Sequence, residues 1–245
     1  MGNRTALITG SSRGIGLQIA RHLAAEGFAL TMSARNEPGL ADAALTLRAD
    51  GAQVLAVPAN LAVEDDVRRL AAAHGDHYGG MDLLVLNGGV AAQHPVADTP
   101  MKTYDLLLNV NLRAQFVLVQ AALPLLRHTA AERPRHGAKI VALSSITGKV
   151  SEPGLAAYAA SKAGLISLCE TITLEESGAG VTATAICPGY VDTDMTALKK
   201  QTLAAEAMLS TRDVAELVMA VSRLSAHAVV PSMVLTRAGN PLWRA

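Results

Sequence analysis

Short apolar runs rich in β-branched residues alternate with longer amphipathic stretches along almost the whole chain. The short runs predict strands at Ala6–Thr9, Ala29–Ser33, Gln53–Val57, Leu83–Leu86, Lys139–Leu143, Thr182–Ile186 and Met233–Thr236. Between them a helical periodicity predicts helices near 15–26, 39–50, 64–76, 102–128, 155–177 and 212–225. Runs such as Leu83-Leu84-Val85-Leu86 are apolar throughout, as strands covered on both faces are. Strand and helix in alternation predict an α/β fold: a doubly wound, seven-stranded, mostly parallel sheet with helices on both faces. There is no repeat, low-complexity tract or linker. The polar stretch Glu132–Gly137 reads as a loop, so residues 1–245 are expected to form one domain.

Charge and composition narrow the function. Lys plus Arg (21) equals Asp plus Glu (21), so the basic excess of a nucleic-acid or anionic-membrane binder is missing, and neither partner is expected. An apolar fraction of 50% with 17% charged residues excludes a disordered chain. The apolar residues include 45 alanines and only 7 aromatics, which suits helices packed closely on a sheet. Cys169 and Cys187 sit in apolar surroundings and read as buried thiols of a reducing compartment. No apolar run approaches 18 residues, so no membrane span is expected. The first strand begins too early to leave room for a signal peptide, and Ala6 stands where myristoylation requires Ser or Thr. The expected location is cytoplasmic.

Thr9-Gly10-Ser11-Ser12-Arg13-Gly14-Ile15-Gly16 follows the first strand and opens the first helix. Glycines at these spacings allow a tight turn and a close approach of backbone to a bound group. The helix N-terminus beyond them offers free N–H groups and partial positive charge to a phosphate. Gly10-Ser11-Ser12-Arg13-Gly14 also fits the G-x-S-x-G nucleophile elbow, so the rival is a serine hydrolase using Ser12, with His227 as its histidine. That rival would put the elbow on the first strand, whereas hydrolase sheets normally have several strands before it. Past the second strand, Ser33-Ala34-Arg35-Asn36 lacks the acid that would accept from a ribose 2′-hydroxyl. Glu37 comes after the strand end, beside Pro38, and is expected to point away. Arg35 offers a fork of donors suited to a 2′-phosphate, and Arg13 could reach the same phosphate from the other side. NADP(H) is therefore expected over NAD(H).

Ser144-Ser145 closes the fifth strand, and Tyr158 and Lys162 lie four apart on the next helix, hence on one face. A lysine cation near a phenol stabilises the phenolate and should bring the Tyr158 pKa down from about 10 toward neutrality, making it a general acid or base. A serine hydroxyl at a strand's C-terminal end can bond a substrate oxygen where charge develops.

With these residues in this order, the chain resembles the short-chain dehydrogenase/reductase family over nearly its whole length. Thr9–Gly16 is similar to the family's T-G-x-x-x-G-x-G, and Asp82–Val90 to its fourth-strand segment. Asn111-Leu112 matches the helix asparagine, Ser145 stands 13 before Tyr158, and Pro188–Thr193 matches the P-G segment. The resemblance implies a Rossmann-like fold and hydride transfer between a nicotinamide cofactor and a carbonyl or secondary alcohol. It implies that Tyr158 exchanges a proton with the substrate oxygen, and that Lys162 lowers the Tyr158 pKa and bonds the nicotinamide ribose. Ser145 would orient the substrate, and Asn111 would hold a water linking Lys162 to solvent. Gly10, Ser12, Arg13, Gly14, Ile15 and Gly16 would line the phosphates. Asn60 and Leu61 would meet the adenine. Asn87, Gly88 and Gly89 would border the ribose. Pro188, Gly189, Val191 and Thr193 would hold the carboxamide end. A homodimer or homotetramer is implied, the dimer through helices 102–128 and 155–177.

The chain departs from the family pattern in three places. N-N-A-G reads Leu86-Asn87-Gly88-Gly89, the adenine-side acid is Asn60, and the terminal D-G-G reads Ala238-Gly239-Asn240. The substrate pocket should be mostly apolar, with Val90, Ala91, Ile146, Pro153, Leu155, Tyr190, Met195 and Leu198. Residues 169–176 carry no Lys or Arg, which argues against an acidic carrier protein as partner. A catalytically idle nucleotide sensor is the other alternative, and the intact Ser145, Tyr158 and Lys162 speak against it. His74 and His77 read as a solvated helix terminus rather than a metal site, and no metal is expected. Arg133, Arg135, His136 and Lys139 read as a solvated basic loop.

Overall fold

The computed structural model describes residues 3–196 and 203–239. Leu198 and Asn240, named above, lie outside them. The strands are β1 (Thr5–Thr9), β2 (Ala29–Ser33), β3 (Val54–Ala56), β4 (Leu83–Leu86), β5 (Ala138–Leu143), β6 (Val181–Pro188) and β7 (Ser232–Leu235). The helices are α1 (Gly14–Ala25), α2 (Glu37–Ala49), α3 (Glu64–Tyr78), α4 (Met101–Leu108), α5 (Ala114–Glu132), α6 (Ala156–Glu176) and α7 (Thr211–Ser222). The sheet runs β3-β2-β1-β4-β5-β6-β7 and every pairing is parallel, so the mostly parallel sheet of the sequence is parallel throughout. Strand order reverses between β1 and β4, the place where open parallel sheets leave a crevice for ligands.

Alternate residues of each strand feed two cores. Leu7, Leu84, Leu86 and Ile140 pack with α3, α5 and α6 through Leu70, Leu118, Leu126 and Leu165. Ala6, Ile8, Leu83 and Val85 pack with α1, α2 and α7 through Ile19, Leu40 and Val218. Four expectations change. The helix expected over 102–128 is α4 and α5 joined by a π-helical turn, Asn109–Arg113. Such a turn inserts a residue into the helical ladder and is frequent at functional sites. Met101–Glu132 is also long and apolar enough to span a bilayer, at 1.4 mean hydropathy over 18 residues. Scattered polar residues break the apolar run in sequence without lowering that mean. Half of the window is buried in the fold, with Val117, Leu118, Ala122 and Leu126 facing the sheet.

His74 is not a solvated terminus but fully buried. Its Nε2 lies 3.0 Å from the Gly80 carbonyl oxygen and its Nδ1 2.8 Å from Thr31 Oγ1. α3 continues past it to Gly79, whose φ of 78° makes the left-handed cap that a side chain would resist. Lys139 is likewise buried, its Nζ donating to Ser225 O at 2.9 Å and Thr182 Oγ1 at 3.1 Å. Burial lowers its pKa. It belongs to β5 rather than to a basic loop, while Arg133 pairs with Asp82 at 3.0 Å.

Candidate active site

The C-terminal ends of β1, β4, β5 and β6 open onto a cavity of about 500 Å³, walled on one side by α6. At its phosphate end, Gly10 with φ 64° turns the chain against β4. A Cβ there would lie 2.9 Å from Gly88 Cα, and one at Gly16 only 2.3 Å from Gly10 O, so both glycines are required by packing. Gly14 differs: a Cβ there would make only ordinary contact, with Thr193 Cγ2 at 3.6 Å, and it is the φ of 55° that favours glycine. Arg13 is the N-cap of α1 and its side chain makes no capping bond. The first-turn N–H groups are therefore left to a ligand, and an anionic diphosphate is what such a helix start accommodates. Gly10, Arg13, Gly14 and Ile15 line the cavity; Ser12 is half-buried beside it without lining it.

β4 supplies the next wall. Asn87 Nδ2 donates to Thr9 O at 2.9 Å and Gly10 O at 3.0 Å, so its amide hydrogens hold the glycine turn and its oxygen is left for a ribose. Gly88 donates to Thr9 Oγ1 at 2.9 Å, and a Cβ on it would fall 2.5 Å from Leu61 Cδ1. Leu61 thus occupies the space an alanine methyl would take. Asn60 Oδ1 accepts from Ala62 N–H at 3.1 Å, which leaves its amide hydrogens to meet an adenine ring nitrogen. Arg35 is exposed at the end of β2, and Glu37 is the exposed first residue of α2. Ser11 Oγ accepts from Ser33 N–H at 2.9 Å and ties the glycine turn to that end of β2, so Arg13 and Arg35 share one rim.

At the reacting end, α6 stacks Tyr158 and Lys162 one turn apart beneath the end of β5. Ser145 Oγ accepts from Thr147 N–H at 3.2 Å and Thr147 Oγ1–H at 2.9 Å, and it hydrogen-bonds the Tyr158 phenol. Lys162 Nζ donates to Leu143 O at 2.7 Å and lies 5.8 Å from the centre of the Tyr158 ring. Burial lowers the Lys162 pKa to about 8. Burial also pushes the Tyr158 pKa up to about 12, opposed by Ser145 and reinforced by Tyr190. The expected drop toward neutrality is thus reversed in this arrangement. Spacing brought the lysine to the ring face, but its ammonium bonds a carbonyl and desolvation of the phenolate dominates.

Asn111, in the π turn, is fully buried. Its Oδ1 accepts from Val90 N–H at 2.8 Å, and its Nδ2 donates to Val90 O at 2.9 Å and Ser161 Oγ at 3.1 Å. Both amide hydrogens are therefore committed, and the side chain clamps the loop after β4. From the end of β6 onward, Pro188, Gly189, Val191 and Thr193 line the cavity. The Thr193 hydroxyl turns back onto Val191 O at 3.4 Å. Val90, Ala91, Leu155, Tyr190 and Met195 line the cavity; Pro153, expected there, is exposed outside its lining, and Ile146 is buried at 2% exposure.

The spacing arguments missed three contributors. Thr147 holds Ser145. Glu152 accepts from Tyr190 Oη at 2.6 Å across 38 residues. Asp194 pairs with Arg13 at 2.7 Å across 181. Only Thr147, two residues from Ser145, had a local signal. His227 is exposed before β7, beside Ala226, whose N–H donates to Arg135 O at 3.0 Å. That is the N-terminal end of the sheet, so it cannot serve Ser12. Among the described residues no cluster of His, Cys, Asp and Glu has metal-site geometry.

Residues 4–204 match the short chain dehydrogenase family. The chain is 34% identical over 195 residues to a 3-oxoacyl-(acyl-carrier-protein) reductase, FabG, of Staphylococcus epidermidis, covering 79% of this chain and 78% of that one. It is 34% identical over 197 residues to a D-beta-hydroxybutyrate dehydrogenase of Rhizobium meliloti, covering 78% and 73%. A short chain dehydrogenase from Burkholderia cenocepacia, solved in complex with NADP, superposes with a TM-score of 0.83 at 30% identity, over 95% of each chain.

Proposed function

The chain belongs to the short-chain dehydrogenase family and is an NAD(P)-dependent oxidoreductase; from that premise we propose that it reduces the carbonyl of a small, largely apolar substrate with NADPH. The observation that carries this reading is the convergence of Ser145, Tyr158 and Lys162 beside an uncapped helix N-terminus in one cavity. Gly10, Arg13, Gly14 and Ile15 at one end and Pro188, Gly189, Val191 and Thr193 at the other would hold a nicotinamide cofactor, which would supply the hydride for the carbonyl carbon. The chain's own residues manage the oxygen and the proton. Ser145 Oγ, held by Thr147, donates to the carbonyl oxygen as negative charge builds there. Tyr158, a phenol at neutral pH because burial holds its pKa near 12, delivers its proton to that oxygen. Lys162 Nζ, 5.8 Å from the centre of the Tyr158 ring, would oppose the charge of the phenolate left behind.

The cofactor preference rests on Arg13 and Arg35 at one rim and on the lack of an acid at the end of β2. The relative from Burkholderia cenocepacia bound to NADP supports it. The carbonyl substrate is read as a free small molecule. Glu170, Thr171, Leu174 and Glu175 make the exposed face of α6 acidic and apolar, unsuited to an acidic carrier. Exposed Tyr104, Leu106, Phe116 and Leu174 support association of copies through α4 to α6. Cys169 and Cys187 are free and buried, in keeping with a reducing, cytoplasmic setting.

Tyr158→Phe tests the reading. With a panel of ketones and the absorbance of reduced nicotinamide as readout, turnover should fall by about 10²–10⁴-fold while NADPH affinity changes little. Retention of more than half the wild-type turnover overturns the assignment.

A further inference from the structure

We propose that Asp194 sets how strongly the enzyme prefers the phosphorylated cofactor, by holding Arg13 away from the 2′-phosphate. The inference rests on the reading above that Arg13 contributes to that phosphate site. Arg13 Nη1 lies 2.7 Å from Asp194 Oδ2, with 75% and 70% of the two side chains exposed. The carboxylate does not simply follow the arginine, because its segment is anchored independently. Asp192 N–H donates to Leu209 O at 2.8 Å, Thr196 Oγ1 donates to Val191 O at 2.6 Å, and Val191 bridges to Leu209. That anchored segment passes directly over the glycine turn, with Thr193 closest to Gly14.

The two basic residues of the rim are therefore unequal. Arg35 has no ion-pair partner among the described residues, whereas Arg13 has a fixed acceptor in place before any phosphate arrives. A 2′-phosphate must either take the guanidinium from Asp194 or sit near an uncompensated carboxylate. In both cases NADPH binding is weakened and NADH binding, which has no such phosphate, is not. Asp194 is thus a specificity-determining residue acting through Arg13. Because the pair is exposed, its effect should be modest: exposed ion pairs correspond to factors of about one- to five-fold.

Fluorescence titration of NADPH and NADH at one ionic strength tests this with wild type, Asp194→Asn, Arg13→Ala and the double variant. Asp194→Asn is isosteric at an exposed position, so the fold should persist. It is expected to tighten NADPH about two- to five-fold and leave NADH unchanged. In the Arg13→Ala background the gain should vanish, and added salt should shrink it. If Arg13→Ala weakens NADPH but Asp194→Asn leaves it unchanged, weakens it, or tightens both cofactors equally, the inference about Asp194 is overturned alone. If Arg13→Ala leaves NADPH affinity unchanged, the phosphate role of Arg13 falls and this inference falls with it.

Discussion

Replacing Asn111 with alanine separates two roles that the same residue could play. As a holder of a relay water, the side chain would matter for turnover and little for folding. As a clamp, it matters for folding first. Its amide satisfies both Val90 N–H and Val90 O, at 2.8 and 2.9 Å. Ser161 keeps another bond, to Tyr158 O at 2.7 Å, and is not orphaned by the change. Two backbone groups therefore lose their partners, and each such loss costs about 1–3 kcal/mol when buried. Val90 is only half-buried, so water can reach part of the gap and the lower half of that range applies. The expected destabilisation is about 2–4 kcal/mol, read as a lower urea midpoint at unchanged slope. Turnover should fall in parallel, because Gly89 and Val90 line the cavity and are released together. An alanine variant within about 0.5 kcal/mol of wild type whose turnover has nonetheless dropped a hundredfold would refute the clamp and restore the relay.

Arg35→Asp should weaken NADPH by roughly 10- to 100-fold, the equivalent of one charge-assisted hydrogen bond, and strengthen NADH; an unchanged ratio of the two dissociation constants refutes the phosphate role of Arg35. Burial lowers the His74 pKa to about 4 from 6.5. The neutral ring's contribution is thus full above pH 6.5 and is lost as pH falls to about 4, a total of about 3 kcal/mol. The stability advantage of wild type over His74→Gln in urea should accordingly shrink between pH 7.5 and 5, and a flat difference would refute the assignment.

Most of the fold was legible because it is written in local periodicity. Apolar strand runs and amphipathic helices place all seven strands within a residue or two of their observed positions. The site was legible where the chemistry is short-range in sequence: the glycine turn, and Tyr158 with Lys162 one helical turn apart. What escaped depends on contacts between distant segments. The π turn at Asn109–Arg113 leaves an apolar pattern almost uninterrupted, and its reason, the clamp on Val90, is 21 residues away. The glycine at position 88 was visible as a departure from the family pattern, but its compensation by Leu61 is a matter of packing alone. The direction of the Tyr158 pKa was misjudged for the same reason. Spacing reports that a lysine is near, whereas the balance depends on what else that lysine bonds and how dry the phenol is.

The loops around the cavity form a collar whose links differ in how easily they part. The glycine turn is joined to β4 through Thr9 and Asn87, by bonds largely shielded from water. The loop after β4 is joined to the segment before α6 through His94 N–H and Gly154 O at 2.8 Å. That segment is joined to the loop after β6 through Glu152 and Tyr190, half-buried at 2.6 Å. The circuit closes from the loop after β6 to the glycine turn through Arg13 and Asp194, the one link made by two mostly exposed charges. Breaking the first three removes hydrogen bonds that water replaces incompletely. Parting the fourth returns two ions to solvent at a cost of about 0–1 kcal/mol. The collar therefore opens most easily beside the glycine turn, where the proposed 2′-phosphate would meet Arg13, and stays closed around Ser145 and Tyr158, where a dry site strengthens every charge interaction with the substrate oxygen.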